Sequence, residues 1–197
     1  MSPRYFLASA ALLFWSTSFA ETPAEKLKPW LERSLDVETG MLWKVGGDTT
    51  FNYRIIPVFV SLRSAEVFGF HFADASALTL RNKYTLMANW METGSENRYI
   101  GVAAAPSIEW WNGRATWSVF GSAGGGVGVL DSQGVPGGEG QDFTFNWYGQ
   151  LGVSAVLTQD WAFRASALFQ HLSNGGQTEP NPGLNALGFT LGLGRSF

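Results

Sequence analysis

His171 and Ser173 stand two residues apart. In an extended strand that spacing puts both side chains on one side, with Cα atoms roughly 6 to 7 Å apart. An imidazole so placed can take the proton of a serine hydroxyl as it attacks an ester carbonyl, then return a proton to the leaving alcohol. Trp161, Phe163, Ala165, Ala167 and Phe169 share the parity of the pair, so it sits at the end of an otherwise apolar row. A nucleophile and base on an apolar wall point to a substrate that lives in lipid. Spacing alone also admits a blander meaning, two polar tips reaching headgroups at a membrane interface.

Serine esterase chemistry asks for more than the pair. A third group should fix the imidazole tautomer and steady its charge. Asn185 opens the following strand with the parity of Leu187 and Phe189, which makes it the leading candidate. An amide can orient an imidazole but cannot neutralise imidazolium as a carboxylate does. Asn174 Nδ2 and a backbone N–H of the Asn174-Gly175-Gly176 turn are candidate donors to a developing oxyanion. Serine, imidazole and oxyanion donors need no metal and no cofactor, and the chain has no Cys to serve as thiol ligand or nucleophile.

Other chemistry-bearing residues have simpler readings. Glu109 and Arg164 take the opposite, inward parity and are expected to form an ion pair in a barrel lumen. Arg81 and Lys83 also face inward, as lumen charges. His71 reads as an interfacial or structural histidine. The run Gly124-Gly125-Gly126 lacks the strand-to-helix context of a phosphate loop and is expected to serve close packing.

The elements that must hold these groups follow from pattern. Arg4, an apolar run from Phe6 to Phe14 and Ser18-Phe19-Ala20 form a secretory signal peptide cut before Glu21. Its apolar core is too short to span a bilayer, and no later run approaches the roughly 18 apolar residues a spanning helix needs. The net charge of −3 offers nucleic acid no basic surface. The sequence has 24 Gly, nine Trp and fifteen Phe with only 15% charged residues. In an exported chain without a spanning helix, that composition predicts a transmembrane β-barrel.

We read residues 1–20 as signal peptide, 21–35 as a short periplasmic helix or arm, and 36–197 as barrel. Period-two alternation predicts eight antiparallel strands near 38–46, 51–62, 77–91, 98–111, 115–130, 142–157, 160–173 and 185–197. Residues 63–76 could extend either neighbouring strand. In the last run Leu187, Phe189, Leu191 and Leu193 oppose Gly188, Thr190, Gly192 and Gly194, so small residues are expected inside and large ones outside. Asn112-Gly113 and 158–160 read as tight turns, whereas 91–98, 131–141 and 174–184 are longer. Short periplasmic turns and long outer loops place the terminal Phe197 at the periplasmic rim and His171, Ser173 and Asn185 at the outer leaflet.

The segments His171-Leu172-Ser173-Asn174-Gly175-Gly176 and Pro180-Asn181-Pro182-Gly183-Leu184-Asn185 resemble the carboxyl-terminal signature of the PagL-type lipid A 3-O-deacylase family. The likeness runs from about Tyr99 to Phe197 and takes in Pro106-Ser107-Ile108-Glu109 and Gly140-Gln141-Asp142-Phe143-Thr144. It implies an eight-stranded barrel in the Gram-negative outer membrane that hydrolyses the 3-O-linked acyl chain of lipid A in lipopolysaccharide. By the same resemblance Ser173 is nucleophile, His171 base, and Asn174 with Gly176 the oxyanion hole. The chain departs from the family where the acidic triad member is expected, which matches Asn185; Glu179 in the preceding loop is off the motif. An esterase and an inactive, lipopolysaccharide-binding barrel with a degraded site both remain open, as do monomer and homodimer. Eight strands leave no open channel, which disfavours a porin.

Overall fold

The structure, a computed structural model, describes residues 28–197. The signal peptide and residues 21–27 of the expected arm lie outside the described residues. What is described of the arm is one 3-10 turn, Pro29–Leu31, whose Trp30 is buried. Strand β1 begins at Ser34, two residues before the expected boundary.

Nine strands follow: β1 Ser34–Lys44, β2 Arg54–Arg63, β3 Phe68–His71, β4 Ala77–Thr93, β5 Arg98–Trp111, β6 Trp117–Leu130, β7 Phe143–Val156, β8 Trp161–Ser173 and β9 Leu184–Ser196. All pairings are antiparallel; β1 pairs with β9 and β2 with β4, so the sheet closes. The ambiguous 63–76 segment extends the second strand. Both β2 and β3 pair with β4, Arg63 opposite Lys83 and Phe68 opposite Leu80. Five chain steps therefore face three, a bulge that lets β2 and β3 share one wall position. The barrel has eight positions, as expected, and β4 runs to Thr93, which shortens the expected 91–98 loop to 94–97.

Alternation produces the wall. In β5 every second residue is buried and the rest are exposed, and Ile100, Val102 and Ile108 lie outside with Leu86, Leu151 and Leu191 of other strands. Closure pairs every long strand on both sides, as a spanning sheet requires, and among the described residues only the short β3, paired with β4 alone, keeps an unpaired edge.

The interior is not uniformly small, contrary to expectation. Arg81, Arg164, Tyr99, Tyr148, Phe59 and Phe120 are all fully buried. Glycines on facing strands make the room: a Cβ on Gly194 would lie 2.3 Å from Asp36 Oδ1, and one on Gly152 would lie 2.7 Å from the Phe120 ring. Large and small inward residues are thus complementary between strands rather than small throughout, because a narrow barrel must still be filled.

The filling is layered. Towards the short-turn end, Arg63 contacts Asp36 at 2.5 Å and Glu109 at 2.6 Å, Lys83 lies 3.4 Å from Glu38, and Arg81 lies 3.5 Å from Glu109. Glu109 and Arg164 do face inward, but they take different partners. Glu109 takes the two arginines just named, while Arg164 lies 3.6 Å from Glu38 and stacks 3.8 Å from the Phe120 ring centre. Towards the long-loop end the filling turns apolar, with Leu42, Ile55, Met87, Leu168 and Leu172 in one cluster. Charges gather where desolvated partners can pair.

Candidate active site

Strand β8 carries Gln170 and Leu172 on its buried side and His171 and Ser173 on its outer side, and Asn174, the first residue of the loop that follows, is buried. His171 and Ser173 lie at the end from which the 174–183 loop springs, opposite the 112–116 and 157–160 turns. The asymmetry of connection lengths marks this end as the outer one. Cross-strand register does the rest. His171 stands opposite Asn185 on β9 and Trp147 on β7, while Ser173 stands opposite Phe145. Directly opposed residues share a face of the sheet, so chain segments far apart in sequence meet on one wall.

The resulting contacts form a relay. Asn185 Oδ1 lies 2.6 Å from His171 Nδ1, and His171 Nε2 lies 3.0 Å from Ser173 Oγ. A carbonyl oxygen only accepts, so Nδ1 carries the imidazole proton and Nε2 is free to accept from the serine hydroxyl. That is the tautomer general-base catalysis needs. Trp147 packs against the imidazole at 5.8 Å between ring centres and against Phe169 at 4.9 Å, which limits rotation of the histidine. The three polar residues are half-buried, and Trp147 and Leu187 beside them are exposed to the surroundings of the barrel.

The loop does not hold its side chains as expected. Asn174 is fully buried, and its Nδ2 donates to the carbonyls of Glu139, Thr178 and Pro180. Its Oδ1 accepts the Gly176 amide at 2.8 Å. Asn174 Nδ2 and the Gly176 N–H, the two expected oxyanion donors, are therefore both engaged in shaping the loop. An asparagine after the strand satisfies backbone groups locally, a role its side chain fills in many turns. The Gly175 amide has no hydrogen-bond partner among the described residues, and Gly175 adopts φ 69°, a left-handed conformation that suits glycine.

Other candidates fall away from the site. Glu179 is exposed and makes no side-chain hydrogen bond among the described residues. His71 lies in β3, half exposed, and meets Glu66 at 3.0 Å. Gly124 and Gly126 allow close strand approach: a Cβ at Gly126 would come 1.8 Å from Val102 O. Among the described residues no group of three or more His, Cys, Asp or Glu could hold a metal ion.

Two features of the site escaped the sequence. Trp147 is one of many outward aromatics, and only register against His171 distinguishes it. The contact between Glu139 and Asn174 joins residues 35 positions apart in two loops, for which periodicity offers no signal.

Comparison with known proteins places this wall in a family. No curated protein matches the chain in sequence. Among solved structures the chain is similar to the outer membrane enzyme PagL, with a TM-score of 0.55 and 16% identity over 82% of this chain and 97% of that one. The outer membrane protein OprG from Pseudomonas aeruginosa also aligns, at a TM-score of 0.37 and 10% identity over 84% of this chain and 96% of that one. The sequence model of PagL, lipid A 3-O-deacylase, matches residues 58–194. That span covers more than half of the chain and includes seven of the eight wall positions; the chain belongs to the PagL lipid A 3-O-deacylase family and is a barrel of the Gram-negative outer membrane.

Proposed function

We propose that this barrel is a serine esterase that removes the 3-O-linked acyl chain of lipid A in the outer leaflet. The observation that carries the proposal is the relay from Asn185 Oδ1 through His171 to Ser173 Oγ, at 2.6 and 3.0 Å, on a wall of apolar side chains. Ser173 Oγ attacks the ester carbonyl and gives its proton to His171 Nε2. The tetrahedral intermediate collapses, the C–O bond to the sugar breaks, and His171 returns the proton to the departing 3-hydroxyl. Water, activated by the same nitrogen, then cleaves the acyl-serine and releases the fatty acid. The Gly175 amide is the donor left open for the oxyanion, and a loop shift that frees Asn174 Nδ2 or the Gly176 amide would add a second.

Mass spectrometry of lipid A from cells expressing the intact chain tests the reading. The expected product lacks one 3-O-linked acyl chain; unchanged lipid A despite folded barrel in the membrane removes the proposal. The rival, a non-hydrolytic lipopolysaccharide-binding barrel, is favoured by the amide at the acid position and by the engaged Asn174 side chain. It predicts no labelling of Ser173 by an active-serine phosphonate probe, whereas the esterase predicts labelling that depends on His171.

Asn185 separates the two readings further. Its hydrogen bond is made to a ring that becomes charged in the reaction, a class of bond worth about 1.5 to 3 kcal/mol. Asn185→Ala is therefore expected to slow deacylation roughly 10- to 100-fold, and Asn185→Glu to keep or raise the rate. A silent Asn185→Ala variant would show that the orienting role is assigned to the wrong residue.

A further inference from the structure

Asn185 is approached from two sides. On one, its Oδ1 meets His171 Nδ1 at 2.6 Å. On the other lies the 45–53 loop between β1 and β2, which the ester chemistry does not use. Strand register pairs Lys44 with Ala186, and the ladder runs one step further, because the Val45 amide donates to the Asn185 carbonyl at 2.8 Å. The Asp48 amide then donates to the Pro182 carbonyl at 3.1 Å. Two bonds thus hold the 182–185 segment from the β1 side, across from the β8 strand that carries the serine. The loop has its own anchor: Thr49 is buried, and its carbonyl accepts Lys44 Nζ.

Gly47 stands between those two bonds. A Cβ there would come 3.5 Å from Asn185 Nδ2 and 3.0 Å from the Gly183 carbonyl oxygen, and the residue has φ 82°. The outer atoms of a larger side chain would enter the space that the Asn185 amide fills. Gly46 has a comparable φ of 65°, yet nothing lies within 4 Å of its Cβ position. The two glycines meet the same backbone demand, and only Gly47 stands beside the relay.

The sense of the amide makes this contact matter. A carboxylate offers an imidazole two like oxygens, so either can take the Nδ1 proton. An amide has an acceptor at one end and a donor at the other. Only with Oδ1 on Nδ1 does Nε2 stay free to accept from Ser173. An asparagine in the orienting place therefore depends on room at its far end, where Nδ2 adjoins Gly47.

We propose that Gly47 is a positioning residue, which by lacking a side chain lets its turn close over Asn185 and keep Oδ1 on His171. Its effect on catalysis rests on the esterase reading above; its effect on the imidazole does not.

Gly47→Leu and Gly46→Leu, each in the full barrel embedded in lipid, separate the contact from backbone strain, because both put the same side chain at positive φ. Gly47→Leu should lower kcat on lipid A roughly tenfold with KM within about twofold, while Gly46→Leu changes kcat by less than about twofold. Since Gly47 acts through Asn185, Gly47→Leu should cost no more than about twofold in an Asn185→Ala background. Gly47→Ala, which adds only the Cβ, should move the rate in the same direction by a smaller amount.

The imidazole gives a readout that needs no turnover. The chain has two histidines, so isotope-labelled histidine yields two ring patterns by nuclear magnetic resonance, and His71→Gln assigns them. The His171 Nδ1–H signal should persist in Gly46→Leu and lose roughly half or more of its intensity in Gly47→Leu, as the ring shifts to the Nε2–H tautomer. Equal losses in the Gly46 and Gly47 variants, a further tenfold loss on the Asn185→Ala background, or an unchanged His171 signal in Gly47→Leu each overturn the proposal. A change at His171 specific to Gly47→Leu, in a barrel that hydrolyses no lipid A, upholds the positioning role and overturns the esterase reading instead.

Discussion

On the esterase reading, Ser173→Ala is expected to leave lipid A fully acylated in cells that display the variant at wild-type levels in the outer membrane. The expected loss is on the order of 10³-fold or more in kcat, because the reaction loses its covalent route and not merely a contact. His171→Ala should cost a comparable amount, and the double variant little more than either alone. Residues that act in one relay are strongly non-additive: once Nε2 has no hydroxyl to deprotonate, or Oγ no base to activate it, the second deletion removes nothing further. Mass spectrometry of the lipid A acyl pattern reads all three variants. A Ser173→Ala barrel that still removes the chain would end the serine mechanism, and additive losses would mean that the 3.0 Å contact between His171 and Ser173 is not used in the reaction.

Arg63→Met should weaken the barrel by about 3 to 5 kcal/mol. Arg63 is 4% exposed and is the link between Asp36 and Glu109, both fully buried. Removing it leaves two carboxylates in the lumen whose remaining ion pairs among the described residues are the longer ones, Glu109 with Arg81 at 3.5 Å and Asp36 with Arg164 at 3.8 Å. The cost is that of stranded buried charge, so a well-packed methionine does not compensate. The Arg54–Glu92 pair provides the contrast. Its side chains are 43% exposed at 2.6 Å, and Arg54→Met should change stability by about 1 kcal/mol or less. Urea unfolding of the barrel in lipid vesicles, followed by tryptophan fluorescence, measures both. Similar midpoint shifts for the two variants would mean that the lumen network carries no more weight than a surface pair.

Much of the wall is legible in the chain because a barrel strand states its orientation locally. Outward Ile100, Val102 and Ile108 against inward Tyr99, Ser107 and Glu109 specify β5 without reference to any other strand. The 63–76 segment resists the same reading because the chain leaves the strand conformation at 64–67 and β3, which shares β4 with β2 across the bulge, is four residues long and shows no alternation of burial. Inward Phe120 and Arg164 show a second limit. Whether a large side chain fits inside depends on glycine in a neighbouring strand, such as Gly152 beside Phe120, and no single strand records its neighbour's volume.

By itself the sequence determined the membrane barrel, the outward aim of His171 and Ser173 and the shared parity of Asn185, because strand direction and period-two alternation are properties of consecutive residues. Only the tertiary structure decided that Asn185 opposes His171, that Trp147 packs on the imidazole, and that Asn174 spends its side chain on the loop and not on an open donor position. Those outcomes turn on cross-strand register and loop-to-loop contact, which are fixed by closing the sheet and satisfying buried polar groups across long stretches of chain.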